Sequence, residues 1–489
     1  MDRSGLEVTP LLLRSDLDVG VAASLVPSSS LRLLLAVGGL WLGAVAIGCS
    51  DADPAVPTPT PDPPAPTTGA IRVSVATEGQ RLDRDGYMAT VDGGASQPVA
   101  STGTVTFEGV EPGSHTVDIS GFAPNCPAPA ASSQTVAVSA GATAEVSLAV
   151  VCGYLAYTAN VISMDVTVVE TATFGVVTSI PLATRPLRVA ATPDGSTIYV
   201  SNAPVLTAID TETNAIVGEV TLENPMAVVV SPDGSEVYVT DSMRDEVTVV
   251  ATSDNTVLAT IAVEAGSHTE APVFSAGGAF AYIANRSANT ITVIDTDTHS
   301  VVEHIAVGAS PSWLTPAPDG SRLYSVNAGS LSIVDLGTNA VVGTVPLGPA
   351  PAGEAVVTLD GASVYVLDLV LEEVWVIETA SFGVVAKIPV GAGALRMALS
   401  PSGEHIYLVD RVNQEVTVID TTTRVVIENV SLAATPATVT FTEDGALALT
   451  ANFASNSVSV LNAFDHSLAA AVPVGEGPVW LAITPTSSP

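Results

Sequence analysis

The phrase PDGSEVYVTD (residues 232–241) returns as PDGSTIYVSN (193–202) and PDGSRLYSVN (318–327), and looser copies fill the chain from residue 153 onward. Each copy ends in Asn or Asp, at Asn160, Asn202, Asp241, Asn285, Asn327, Asp368, Asp410 and Asn452, in steps of 42, 39, 44, 42, 41, 42 and 42 residues. That period is the length of a four-stranded propeller blade and is too long for the short helical repeats. No segment carries a 3.6-residue apolar period, which excludes the longer helical repeats as well.

Each unit reads as four strands. In the second, RVAAT passes through the Pro193-Asp194-Gly195 turn into STIYVSN, followed by LTAIDTETN and AIVGEVTL. Pro presets φ, Asp bonds back to the backbone and Gly accepts a left-handed conformation, so the phrase marks the hairpin between the first two strands. Seven of the nine tyrosines occupy one mid-strand position (Tyr157, Tyr199, Tyr238, Tyr282, Tyr324, Tyr365 and Tyr407), a recurrence that predicts packing between repeats. The third strand ends in a carboxylate in six of eight units, at Glu170, Asp210, Asp295, Asp335, Glu378 and Asp420. One per repeat, these are turn formers that accept nearby N–H groups, and they are not read as a metal site.

YVSN, YVTD and YIAN followed by VTVIDT and VVxxIxVG resemble the YVTN family of β-propeller repeats, over residues 153–489. The resemblance implies an exported or surface protein with no assigned enzymatic activity. The fold expected is all-β: an eight-bladed propeller of four-stranded blades, with seven blades, the family's usual number, as the alternative. The first unit begins at its second strand, YLAYTAN, and the final PVWLAIT (478–484) is expected to supply the missing innermost strand and close the ring.

Ahead of the repeats, residues 70–152 alternate apolar and polar in six or seven short runs bounded by Gly, Pro, Asp or Ser, which predicts a small β-sandwich. GTVTFEGVEPGSHTVDISG resembles carboxypeptidase-regulatory-like and transthyretin-like modules, which implies a spacer or adhesion role. DRDG (83–86) is read as a plain turn, because the remaining ligands of a calcium loop are missing. Cys126 and Cys152 bracket strand-rich sequence 26 residues apart and are expected to pair in an oxidising compartment.

The N-terminal 48 residues end in an apolar run of signal-peptide length, and Ala46-Ile47-Gly48-Cys49 resembles a lipobox. That resemblance implies lipidation of Cys49, with an uncleaved signal anchor as the alternative. Residues 49–69 then form a Pro/Thr-rich tether. The chain is therefore expected to be exported and held to the cell envelope through the lipid on Cys49, as a monomer.

Fifty acidic residues against 15 basic ones give a net charge of −35, which argues against nucleic-acid binding. Function is then sought where repeats differ. At the start of the innermost strands most units carry small residues such as Ala227 and Thr438, whereas four carry Arg188, Trp313, Arg396 and Trp480; a fifth places His268 and Glu270 in the equivalent loop. Together these six form a candidate channel-mouth site for a protein, a glycan or a small anionic ligand. The competing expectation has the tryptophans plugging the channel and the arginines pairing with carboxylates such as Glu354. No catalytic residue, metal or cofactor is assigned, since metal-ligand His spacing, G-x-S-x-G, P-loop and C-x-x-C-H motifs are missing. An enzyme of lactonase or quinoprotein type using His268 and Glu270 stays as the alternative.

Overall fold

The computed structural model describes residues 66–80, 82–83, 85–241, 243–264 and 271–486. The leader, Cys49 and most of the tether lie outside the described residues, as do His268 and Glu270. No helix among the described residues is long and apolar enough to cross a membrane.

Seven strands build the first unit. Gly69–Gly79 pairs antiparallel with Gly103–Val110 and parallel with Thr143–Cys152; Gln97–Val99, Tyr87–Val91, Gly113–Ser120 and Ser133–Val138 form a second, four-stranded sheet. The strict alternation in AEVSLAVVC puts Val146, Leu148, Val150 and Cys152 inside, against Ile71, Val73, Val75, Tyr87, Val117 and Ile119. Cys126 and Cys152 are disulfide-bonded within this core. Closing a 26-residue span contributes roughly 3.5 kcal/mol by loop entropy, a large share for so small a core.

The repeats fold as a β-propeller. Six of them are separate four-stranded antiparallel sheets, and the fifth and sixth share a six-stranded sheet through the long strands Arg322–Asp335 and Ala340–Val357. The C-terminal strand Pro478–Ile483 pairs with Leu155–Asn160, completing the first repeat from the far end of the sequence as expected. Its side contacts with Arg188–Ala191 and Pro436–Phe441 place it between the second and eighth repeats. Outer strands carry a bulge near their start in repeat after repeat, as between Ala208 and Ile209 or Val418 and Ile419, and such a twist blunts an exposed edge.

The recurrent phrase is a self-satisfied turn. Asp233 accepts from Ser231 Oγ (2.6 Å), Ser235 N–H (3.1 Å) and Ser235 Oγ (2.8 Å), and Asp194, Asp360 and Asp444 repeat the pattern. Gly195 sits at φ +67°, where a Cβ is strained. The acidic ends of the third strands behave as read from sequence: Asp210 takes Thr213 N–H (2.8 Å) and Asp420 takes Thr423 N–H (2.6 Å). The threonine that follows each closes onto the first hairpin, Thr211 Oγ1 donating to Gly195 C=O (2.6 Å) and Thr421 Oγ1 to Gly403 C=O (2.8 Å).

All seven tyrosines are at most 1% exposed. Several tie one repeat to the next through the residue that holds positive φ in the neighbour's outer hairpin. Tyr157 Oη donates to Asn214 Oδ1 (2.6 Å), Tyr199 Oη to Asn255 Oδ1 (2.9 Å), and Tyr407 Oη meets His466 Nδ1 (2.7 Å). Where the eighth repeat substitutes Leu449, the neighbour offers Phe174 in place of a polar partner, and the two share one apolar cluster. The row is packing plus a latch.

Candidate functional site

Strand register defines a ring at the entrance of the channel. Arg188, Trp313, Arg396, Thr438 and Trp480 lie opposite the second residue after the tyrosine position of their own repeats (Ser201, Val326, Val409, Ala451 and Ala159). Ala227 and Glu354 hold the same place beside small bulges, one residue before the partners of Val239 and Val366. Glu354 is thus a full ring member. Sequence spacing obscured this because the bulge shifts its register, although a carboxylate partner for the arginines was anticipated there.

One arc of the ring is charged and aromatic. Arg396 forms an ion pair with Glu354, whose other oxygen accepts Met397 N–H at 3.0 Å. The Arg396 guanidinium carbon lies 4.7 Å from the centroid of the Trp480 ring, and that of Arg188 lies 3.8 Å from it. Residues 188 and 480, nearly 300 positions apart, meet only because the last strand closes the first repeat. Trp313 Nε1 donates to Ala355 C=O (3.0 Å), which pins its indole between the fifth and sixth repeats. Glu354 is 8% exposed; burial pushes its carboxyl above the usual range, and Arg396, Met397 N–H and Arg188 pull it back.

The tryptophans do not fill the channel. A cavity of about 510 Å³ runs past Trp313, Glu354, Arg396, Thr438 and Trp480 and continues along the inner strands to Pro193 and Pro485. The structure therefore combines elements of both expectations: Arg396 is paired with Glu354, and open space remains beside the pair. Among the described residues no group of three His, Cys, Asp or Glu is placed to hold a metal ion.

Loops between second and third strands overhang this same entrance. Ile162 covers Gly477, Leu369 covers Gly353 and Val412 covers Gly393, three glycines on the loops that lead into Trp480, Glu354 and Arg396. The sandwich meets the opposite, turn-bearing face: Gln80 Nε2 donates to Asp444 Oδ2 (3.2 Å). A cavity of about 190 Å³ lies between them, lined by Asp83, Asp85, Asp194, Asp210 and Glu212. Asp83 accepts N–H groups from Gly86 (3.2 Å) and Ala123 (3.0 Å), as a plain turn requires. Its own burial, and then the Asp85 carboxyl beside it, raise its pKa to about 6.

No protein-family model matches the chain, and no curated protein matches it. Similar solved structures include the dihydro-heme d1 dehydrogenase NirN in complex with DHE (TM-score 0.59, 17% sequence identity, covering 67% of this chain and 74% of that one). Another is apo AztD from Citrobacter koseri (TM-score 0.54, 12% identity, 68% and 98%). Hydrazine synthase of Kuenenia stuttgartiensis aligns at a TM-score of 0.48 with 26% identity over 57% of this chain and 95% of that one. These likenesses concern architecture, and architecture does not fix activity. What the comparisons establish is that residues 153–489 share the fold of β-propeller proteins.

Proposed function

We propose that the chain is an exported, lipid-anchored propeller of the YVTN type that acts as a non-catalytic binding scaffold, its channel mouth receiving the anionic group of a partner. The observation that carries this reading is the Glu354–Arg396–Trp480–Arg188 arc beside an open cavity. Two guanidiniums offer ten N–H donors, more than one carboxylate consumes, in a partly desolvated setting where charge-assisted bonds are strong. The carboxylate lining the cavity is already taken by Arg396 and Met397 N–H, which leaves no base held ready for proton transfer. That supports binding over catalysis.

Export is supported by the buried Cys126–Cys152 disulfide, which requires an oxidising compartment. The sandwich, read as a spacer, is entered by the tether and contacts the turn face, so the mouth points away from it. Anchoring through Cys49 then leaves the mouth directed outward.

A thermal-shift screen of the purified full-length chain with sugars, mono- and dicarboxylates, quinones and divalent metals tests the reading, with Arg188→Gln/Arg396→Gln as control. Saturation at a hundred times Kd stabilises by about 2.7 kcal/mol. A shift with a carboxylate that vanishes in the double variant is expected. A shift confined to metals or quinones and accompanied by turnover would replace the scaffold with an enzyme.

A further inference from the structure

The cavity is a slot and not a bowl. It follows the inner strands from Trp480 to Pro485 and from Arg396 and Thr438 inward, a depth of roughly 17 Å at strand rise, or about five residues of extended chain. Its middle is narrow-walled, lined by Ala191, Val439, Thr440, Leu481 and Ala482.

The four strands that line it, Arg188–Ala191, Ala394–Leu399, Pro436–Phe441 and Pro478–Ile483, are each the edge of a sheet. Along an antiparallel edge, alternate residues turn N–H and C=O away from the partner strand. Met397 is one of them, and its N–H donates to Glu354. Val439 and Leu481 hold the register of Met397 in the next two repeats, paired with Thr450 and Thr158 as Met397 is with Leu408. Their N–H groups therefore face the slot.

Glu354 shows how this wall handles a carboxylate: one oxygen on an inner-strand N–H, the other on Arg396. Arg188 and Arg396 against Glu354 leave one positive charge in the arc, which one further carboxylate neutralises and a dianion overshoots in a chain of net charge −35. Both guanidiniums already lie over Trp480, so that ring is engaged and an aromatic ligand gains little by stacking there.

Resting on the reading of the mouth as a binding site, we infer that the slot takes the free C-terminal end of a polypeptide. The terminal carboxylate lies between Arg188 and Arg396, and some four or five residues with small or aliphatic side chains extend along the inner-strand edges. A peptide supplies the backbone donors and acceptors that the edges require, which an alkyl chain lacks. The aliphatic overhang of Ile162, Leu369 and Val412 at the entrance suits the residues just before the end of such a chain.

The test is fluorescence anisotropy of the full-length chain with fluorescein-Ser-Ala-Val-Ala-Val, its C-terminal amide, and decanoate and acetate as competitors. The free acid is expected to bind, with the amide weaker by about ten-fold or more, the loss of one charge-assisted contact. Arg188→Gln/Arg396→Gln is expected to erase the difference between acid and amide. Thr440→Phe, which narrows the slot while leaving the arginines in place, is expected to abolish peptide binding and keep competition by acetate at the head alone, read by thermal shift. Equal binding of acid and amide overturns the C-terminal assignment. Binding of decanoate with no peptide binding overturns the polypeptide and leaves an anion site standing. If no carboxylate binds and the arginine variants change nothing, the mouth is not a binding site and both readings fall.

Discussion

The two ends of the propeller are built from the same repeat and treat it oppositely. On the turn face, one hydrogen-bonded device recurs: a carboxylate accepts from the hydroxyl two residues before it and from the backbone two residues after it, at Asp194, Asp233, Asp360 and Asp444. At the mouth, the ring position changes identity from repeat to repeat, through Trp480, Arg188, Ala227, Trp313, Glu354, Arg396 and Thr438. A turn that satisfies its own polar groups asks nothing of its neighbours and can be copied. A ring whose members satisfy one another across repeats is specified as a set.

That contrast makes unequal demands under mutation. The largest effect is expected from Arg396→Ala, which leaves the buried Glu354 carboxylate with only Met397 N–H and costs about 3–5 kcal/mol in denaturant unfolding. Adding Glu354→Gln is expected to return much of that loss, and full stability in the single variant would show the ring members to be independent after all. A smaller cost, about 1–2 kcal/mol, is expected for Asp233→Ala on the more exposed turn face. The Ser231 hydroxyl, then the Ser235 N–H and hydroxyl, hold the Asp233 carboxyl below its ordinary range. Its contribution is therefore present above the usual carboxylate pKa and disappears as pH falls through the depressed value, so wild type and variant converge in acid. Convergence at neutral pH instead would mean that the turn does not depend on the charge. Smallest is Tyr407→Phe, about 1 kcal/mol for the bond to His466; Leu449 in the eighth repeat already shows an apolar version of that interface. A double-mutant cycle with His466→Phe measures the coupling, and additive costs would remove the latch.

Much of the fold was readable because it depends on local chemistry. Period, turn type, tyrosine packing, the Cys126–Cys152 pairing and the closing strand 478–484 each follow from residues close in sequence or from a count. Arg188, Trp313, Arg396 and Trp480 were also visible, as large side chains where small ones recur. What escaped depends on register and closure. Glu354 sits beside a bulge, so its ring position emerges only once Val356 is paired with Tyr365. The approach of Arg188 to Trp480 requires the ring to be closed, and no spacing encodes the order in which guanidiniums and indole share space. The positive-φ residues that receive the tyrosines, Asn214, Asn255 and His466 among them, look in sequence like ordinary turn residues.

The strand Pro478–Ile483 completes a sheet begun more than 300 residues earlier. A chain interrupted anywhere before it has seven finished repeats and one unsealed seam, along which Leu155–Asn160, buried at every position in the intact molecule, loses its inner neighbour. Folding of the whole thus waits on the last residues to emerge, and the ring acts as an inspection of its own length: a shortened copy carries an open apolar edge that quality-control proteases recognise, while a complete one presents none.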